Sequence, residues 1–156
     1  MSETSIEALL EDLKNPDEAV RNRATVELWR IWFQQKGMYG RELIERSQVL
    51  LTFGEIKQAE ELLTELIENQ PDFAEAWNRR GVLYYIIGEY EKAKNDCNRV
   101  LELNPVHFGA FHGLGLCCAA LGEYYTAIQA FRNALEIQPY ALINQKLILE
   151  CTARLN

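Results

Sequence analysis

Residues 77–105 read WNRRGVLYYIIGEYEKAKNDCNRVLELNP, and residues 111–139 read FHGLGLCCAALGEYYTAIQAFRNALEIQP. At an offset of 34, Gly81, Gly88, Tyr90, Ala93, Leu101, Glu102 and Pro105 return as Gly115, Gly122, Tyr124, Ala127, Leu135, Glu136 and Pro139. A period of this length marks a solenoid, whose units bury their apolar faces only by stacking on one another. Trp77, Leu83, Tyr84 and Ile87 recur at helical spacing, and Gly88 stops that helix. Ala93, Cys97, Val100 and Leu101 form the stripe of a second helix, which Pro105 closes. The unit is therefore helix, tight turn, helix, tight turn. Gly81 and Gly115 fall inside first helices, where Gly costs about 1 kcal/mol relative to Ala, so two helix backbones are expected to approach closely there.

These positions resemble the tetratricopeptide repeat family, whose unit carries a W, L, G, Y, A, F, A, P pattern. The pattern falls on Trp77, Arg80, Gly81, Tyr84, Ala93, Cys97, Val100 and Pro105, and again on Phe111, Leu114, Gly115, Cys118, Ala127, Phe131, Ala134 and Pro139. One period upstream, Leu43, Arg46, Ser47, Leu50, Gly54, Ala59, Leu63, Leu66 and Pro71 give a weaker match. Arg46 and Arg80 stand where the family prefers Leu, and Cys97 and Cys118 where it prefers aromatics. The resemblance implies an all-α right-handed solenoid. Three repeats, 40–73, 74–107 and 108–141, would lie between an N-terminal helical hairpin, 1–39, and a C-terminal capping helix, 142–156.

Outside the repeats the chain still reads as helix. Thr4 to Glu7 has the form of a capping box before Ile6, Leu9, Leu10 and Leu13. Asn15-Pro16-Asp17-Glu18 reads as a second start, with Asn15 as cap and Pro16 in the first turn, and it resembles the turn of a HEAT repeat. Val20, Ala24, Leu28, Ile31 and Trp32 follow as one stripe, expected to end at Gly37 and Gly40. Trp29 and Phe33 widen it, so the hairpin must dock; it is expected to pack on the first repeat and cap the open end, the rival being a surface for a partner. A lead-in ending in Trp-Arg-Ile-Trp before three such repeats resembles a group of small soluble repeat proteins of bacteria and plastids. In the last helix, Ile143, Leu147, Ile148, Cys151 and Leu155 are expected inside, and Asn144, Lys146, Glu150 and Arg154 outside.

Charge and composition exclude several functions. The net charge of −7 is uneven, with eight acidic and three basic residues over 41–72 and five of each over 74–107. Without a basic stripe the chain is a poor ligand for nucleic acid, whose affinity comes from Lys and Arg neutralising phosphates. The apolar run Leu114 to Leu121 is far short of the roughly 20 residues that span a bilayer. Met1 to Thr4 lacks the basic region of a secretion signal. Cys97, Cys117, Cys118 and Cys151 have no metal or disulfide spacing, and read as buried thiols in a reducing compartment, cytoplasmic or stromal. His107 and His112 lack the spacing of a helical metal site, and no phosphate loop or nucleophile elbow occurs. No cofactor is implied and no catalysis is expected.

Function then falls to the concave wall made by the first helix of each pair. The positions that face this groove in the family share one helical stripe. They fall here on Arg41, Ile44, Gln48 and Leu51, on Glu75, Asn78, Val82 and Tyr85 with Arg79 at the margin, and on Gly109, His112, Leu116 and Ala119 with Gly113 at the margin. The expected peptide-binding site is Arg41, Gln48, Asn78, Arg79, Val82, Tyr85, His112 and Leu116. Its amides and charges suit a peptide backbone or carboxylate, its Val, Tyr and Leu an apolar anchor, and the small residues of the third repeat leave room. The family's clamp for the C-terminal carboxylates of heat-shock chaperones finds Ile44, Gln48, Arg79, Gly109 and Gly113 at its positions, and none matches. The expectation is an adapter that holds an extended segment or a helix of a protein partner, as a monomer or weak homodimer. The alternatives are self-association through the aromatic hairpin or the last helix, and metal or redox chemistry at Cys117 and Cys118.

Overall fold

The computed structural model describes residues 3–155. Among these are α1 (Glu3–Asp12), α2 (Glu18–Phe33), α3 (Gly37–Thr52), α4 (Ile56–Asn69), α5 (Ala74–Ile86), α6 (Tyr90–Leu103), α7 (Phe108–Ala120), α8 (Tyr124–Ile137) and α9 (Leu142–Arg154). The fold is all-α, a stack of helix hairpins.

Three hairpins close on the same turn. Gly54, Gly88 and Gly122 sit at φ of 77°, 82° and 78°, a conformation that costs a side chain its Cβ clearance. The next N–H, on Glu55, Glu89 and Glu123, donates at 2.8 Å to the carbonyls of Leu50, Tyr84 and Cys118, which is the Schellman end of a helix. Each second helix ends in the same way as well. Gln70, Asn104 and Gln138 donate to Leu66, Val100 and Ala134, and Pro71, Pro105 and Pro139 follow. The core between the layers is built from Ala59, Leu63, Leu83, Ala93, Ala127 and Phe131, all nearly or wholly buried.

Local starts differ from expectation at three places. Asp17, not Asn15, caps α2, its Oδ1 accepting the Ala19 N–H at 2.9 Å; Asn15 accepts the Asp17 N–H one step earlier, so Pro16 precedes the cap. α1 already includes Glu3, which puts Thr4 inside the helix rather than at its cap. Gly40 does not end α2. It lies in the first turn of α3, where a Cβ would stand 3.2 Å from the Phe73 ring, while Gly37, at φ 74°, makes the corner.

The two helical glycines have different reasons. At Gly81 a Cβ would meet the Asp96 Cβ at 3.3 Å and the Ala93 carbonyl at 3.5 Å, the expected approach of helices. At Gly115 it would stand 2.4 Å from the Phe131 ring, so here the glycine admits an aromatic side chain rather than a backbone. Gly115→Ala should therefore destabilise by about 1–3 kcal/mol in urea unfolding, and more than Gly81→Ala does; equal costs would refute the distinction.

Candidate peptide-binding groove

The strongest departure from expectation is the path of α2. Its stripe Ala24, Leu28 and Trp32 is buried, but not on the first hairpin. With Leu13 of α1 it joins Phe108 at the start of α7, and Ile137 packs alongside. Trp32 stacks on the His107 ring at 4.4 Å between centroids and 19° between planes. Trp29 meets His107 and Phe108 edge-on at 5.2 and 5.5 Å. At one end the Arg79 guanidinium lies 5.1 Å from the Phe33 ring centre; at the other, Arg21 lies 4.1 Å over Tyr140. Lys36 pairs with Asp72 at 2.7 Å and pins the α2–α3 corner. The hairpin is thus a strap across the starts of α5, α7 and α9. It does not cap the open end, because its large aromatic rings find deeper burial against His107 and Phe108, and Gly109 makes the space: a Cβ there would stand 2.7 Å from Trp29.

Beneath the strap lies a buried polar cluster that sequence reasoning missed. His107, fully buried, accepts the Ala110 N–H at Nδ1 (3.0 Å), so its proton sits on Nε2 and is donated to Glu75 Oε1 at 2.9 Å. The other Glu75 oxygen accepts from Asn78 Nδ2 (3.1 Å) and Arg79 Nε (2.8 Å). Burial pushes the Glu75 pKa up, but His107, Arg79 and Asn78 together pull it further down, and the net direction is below the ordinary 4.5. The only sequence signal was a histidine one period after Phe73, where an apolar residue is expected.

The expected site residues therefore divide. Asn78 is buried and Arg79 largely so, both engaged by Glu75. His112 Nδ1 donates to Asn144 Oδ1 at 2.8 Å, which draws Asn144 inside while Ile143 is left exposed; these two exchange sides, whereas Leu147, Ile148, Cys151 and Leu155 lie inward and Lys146, Glu150 and Arg154 outward as expected. The room expected beside Gly109 is filled by Trp29, and Gly113 faces the Cys97 sulfur, 3.3 Å from where its Cβ would be. Arg41 pairs with Glu45 at 2.8 Å on the outer part of α3. Further along the same stripes Gln48, Tyr85 and Leu116 are half-buried and Val82 is exposed, an uncharged strip next to the strap. Tyr85 lies 5.5 Å from Tyr90, and burial raises its pKa. All four cysteines are free and buried. Among the described residues no group of three metal-ligating side chains converges, and no helix is long and apolar enough to cross a membrane.

An all-helical stack whose first helices line a common wall is the architecture of a repeat solenoid. The tetratricopeptide repeat model matches residues 74–107 and 109–140, so two such repeats stand in this part of the chain. The fold is shared with the first such domain of human RPAP3 (20% identity, 72% of this chain and 89% of that one, TM-score 0.69). It is shared also with the Sgt2 domain of Aspergillus fumigatus (19%, 73% and 77%, 0.68). A third neighbour is the TPR2B domain of yeast Sti1 in its complex with pHsp70 (19%, 72% and 98%, 0.64). No curated protein matches the chain.

Two outcomes test the strap. Trp32→Ala should cost about 3–5 kcal/mol in denaturant unfolding, whereas a docked surface ring would cost far less. Because the folded Glu75 pKa is lowered, its contribution is complete above the unfolded value near 4.5 and is lost as pH falls through the lower folded value. Glu75→Ala, which strands His107 and Arg79, should cost about 3 kcal/mol at neutral pH and flatten the acid limb of the stability profile; an unchanged acid limb would exclude Glu75 as its source.

Proposed function

We propose that the chain is a non-catalytic protein interaction module that holds a peptide or helix of a partner protein on the open strip of its concave wall. The observation that carries this is the exposure of Val82, an apolar side chain between half-buried Tyr85 and Leu116, with Gln48 as the nearby amide. Apolar anchors flanked by a few polar groups are the usual make-up of an interaction hot spot. The Sti1 neighbour binds pHsp70, so the fold lends itself to peptide recognition. This chain suits a different ligand: Gly109 and Gly113 stand where the clamp would need cations, and Trp29 lies against Gly109. A segment with apolar anchors fits better than a terminal carboxylate. Support over self-association through the hairpin is that Trp29 and Trp32 already face their own His107 and Phe108.

The reading treats 40–73 as the first of three repeats, supported by the shared turn at Gly54, and 142–156 as the closing helix. It takes the module to work as a monomer or weak homodimer in a reducing compartment, which suits four free thiols. The experiment is affinity capture with the wild type against Val82→Glu and Tyr85→Ala baits, both first shown to be folded by circular dichroism. A protein retained by the wild type should be lost from Val82→Glu, and weakened by at least about 1 kcal/mol with Tyr85→Ala. Equal retention on all three baits would remove this strip from the site.

A further inference from the structure

The diversion of α2 leaves the other end of the stack without a neighbour. Tyr39 and Val49 are 69% and 54% exposed; one period on, Phe73 and Leu83 are 0% and 1% exposed, and two periods on, His107 and Cys117 are 0% and 1%. The same positions are thus core in two hairpins and wet in this one. In the second hairpin the cover is a helix: α4 lies on it, its Thr64 Oγ1 accepting from Arg80 Nη1 at 3.3 Å, and the Pro71 carbonyl behind it accepting from Trp77 Nε1 at 2.9 Å. Trp77, Arg80 and Tyr84 correspond to Leu43, Arg46 and Leu50 of the first hairpin, which floor a cleft of about 480 Å³ between α3 and α4. Glu61 and Glu65 stand on the rim of that cleft, and Glu60 and Glu68 continue the acidic edge along α4.

We propose that this outer face of α3 and α4 binds an amphipathic helix of a partner protein, with an apolar stripe seated in the cleft and Lys or Arg along its flanks. The helix would lie on the first hairpin as α4 lies on the second. Leu43, Leu50 and Leu62 of the lining supply the burial, and Glu61 and Glu65, which outnumber the single Arg46 in the same lining, select the flanking charge. A second copy of this chain is a poorer occupant. Two such faces together set acidic rim against acidic rim.

The test uses the full chain and two labelled synthetic helical peptides that share one leucine stripe, one flanked by Lys and the other by Glu, read by fluorescence anisotropy. The Lys peptide should bind at least about tenfold more tightly than the Glu peptide. Glu61→Lys with Glu65→Lys should reverse that preference, and Tyr39→Glu should weaken the Lys peptide by about tenfold. All three positions are exposed, so circular dichroism should show an intact fold. No charge preference, or one unmoved by the reversal, overturns the proposal. So does a mass that rises with concentration in sedimentation and falls with Tyr39→Glu, which would make the face a contact between two copies.

Discussion

Glu75 is wholly out of water, and its charge is tolerable only while His107, Asn78 and Arg79 all point at it. Each of those groups is held in turn. The Ala110 N–H fixes the His107 tautomer, Trp32 lies flat on the imidazole, and Arg79 is stacked against Phe33. The strap and the carboxylate therefore depend on one another. Without α2 the cluster would be opened to water, and without the cluster α2 would press its rings onto unpaired buried donors. A buried network with every member satisfied is what gives a short helical hairpin a single docking position on an otherwise repetitive surface.

The repeats themselves tolerate exchange as long as partners change together. In the second hairpin Arg80 grips Asp96 with two bonds of 2.9 and 2.8 Å. In the third, the corresponding positions hold Leu114 and Ala130, both apolar. Burial pushes the Asp96 pKa up and Arg80 only partly reverses it, so this pair gives geometry to the hairpin more than it gives stability. Arg80 looked like a departure from the family pattern because one position was read without its partner sixteen residues on.

What the sequence made legible was what a period carries. Helix order, the turns at Gly88 and Gly122, and the buried alanines all follow from local spacing, and the structure has each of them. The destination of α2 did not follow, because Trp29 and Trp32 announce only that they must be buried. Which surface receives them depends on residues about eighty positions away, His107, Phe108 and Gly109, whose smallness or polarity has a meaning only once the stack is folded. The same non-local cause engages three of the eight candidate site residues. Asn78, Arg79 and His112 lie on the expected stripe, but Glu75 and Asn144 hold them.

The strap's position also decides how the two ends of the stack meet water. A hairpin seated on His107 cannot also cover Tyr39 and Val49, so closing one half of the groove and baring the first hairpin are a single structural event. An apolar face left bare in this way invites aggregation. The chain offsets it with charge, since eight of its acidic residues fall within 41–72. Those carboxylates oppose the pairing of like faces by repulsion, while Leu43 and Leu50 remain in the cleft floor on either side of Arg46. At the opposite end α9 buries Cys151 and half-buries Ile148 on one side, and on its outward side mixes polar Gln145, Lys146 and Thr152 with the exposed apolar Leu142, Ile143 and Leu149.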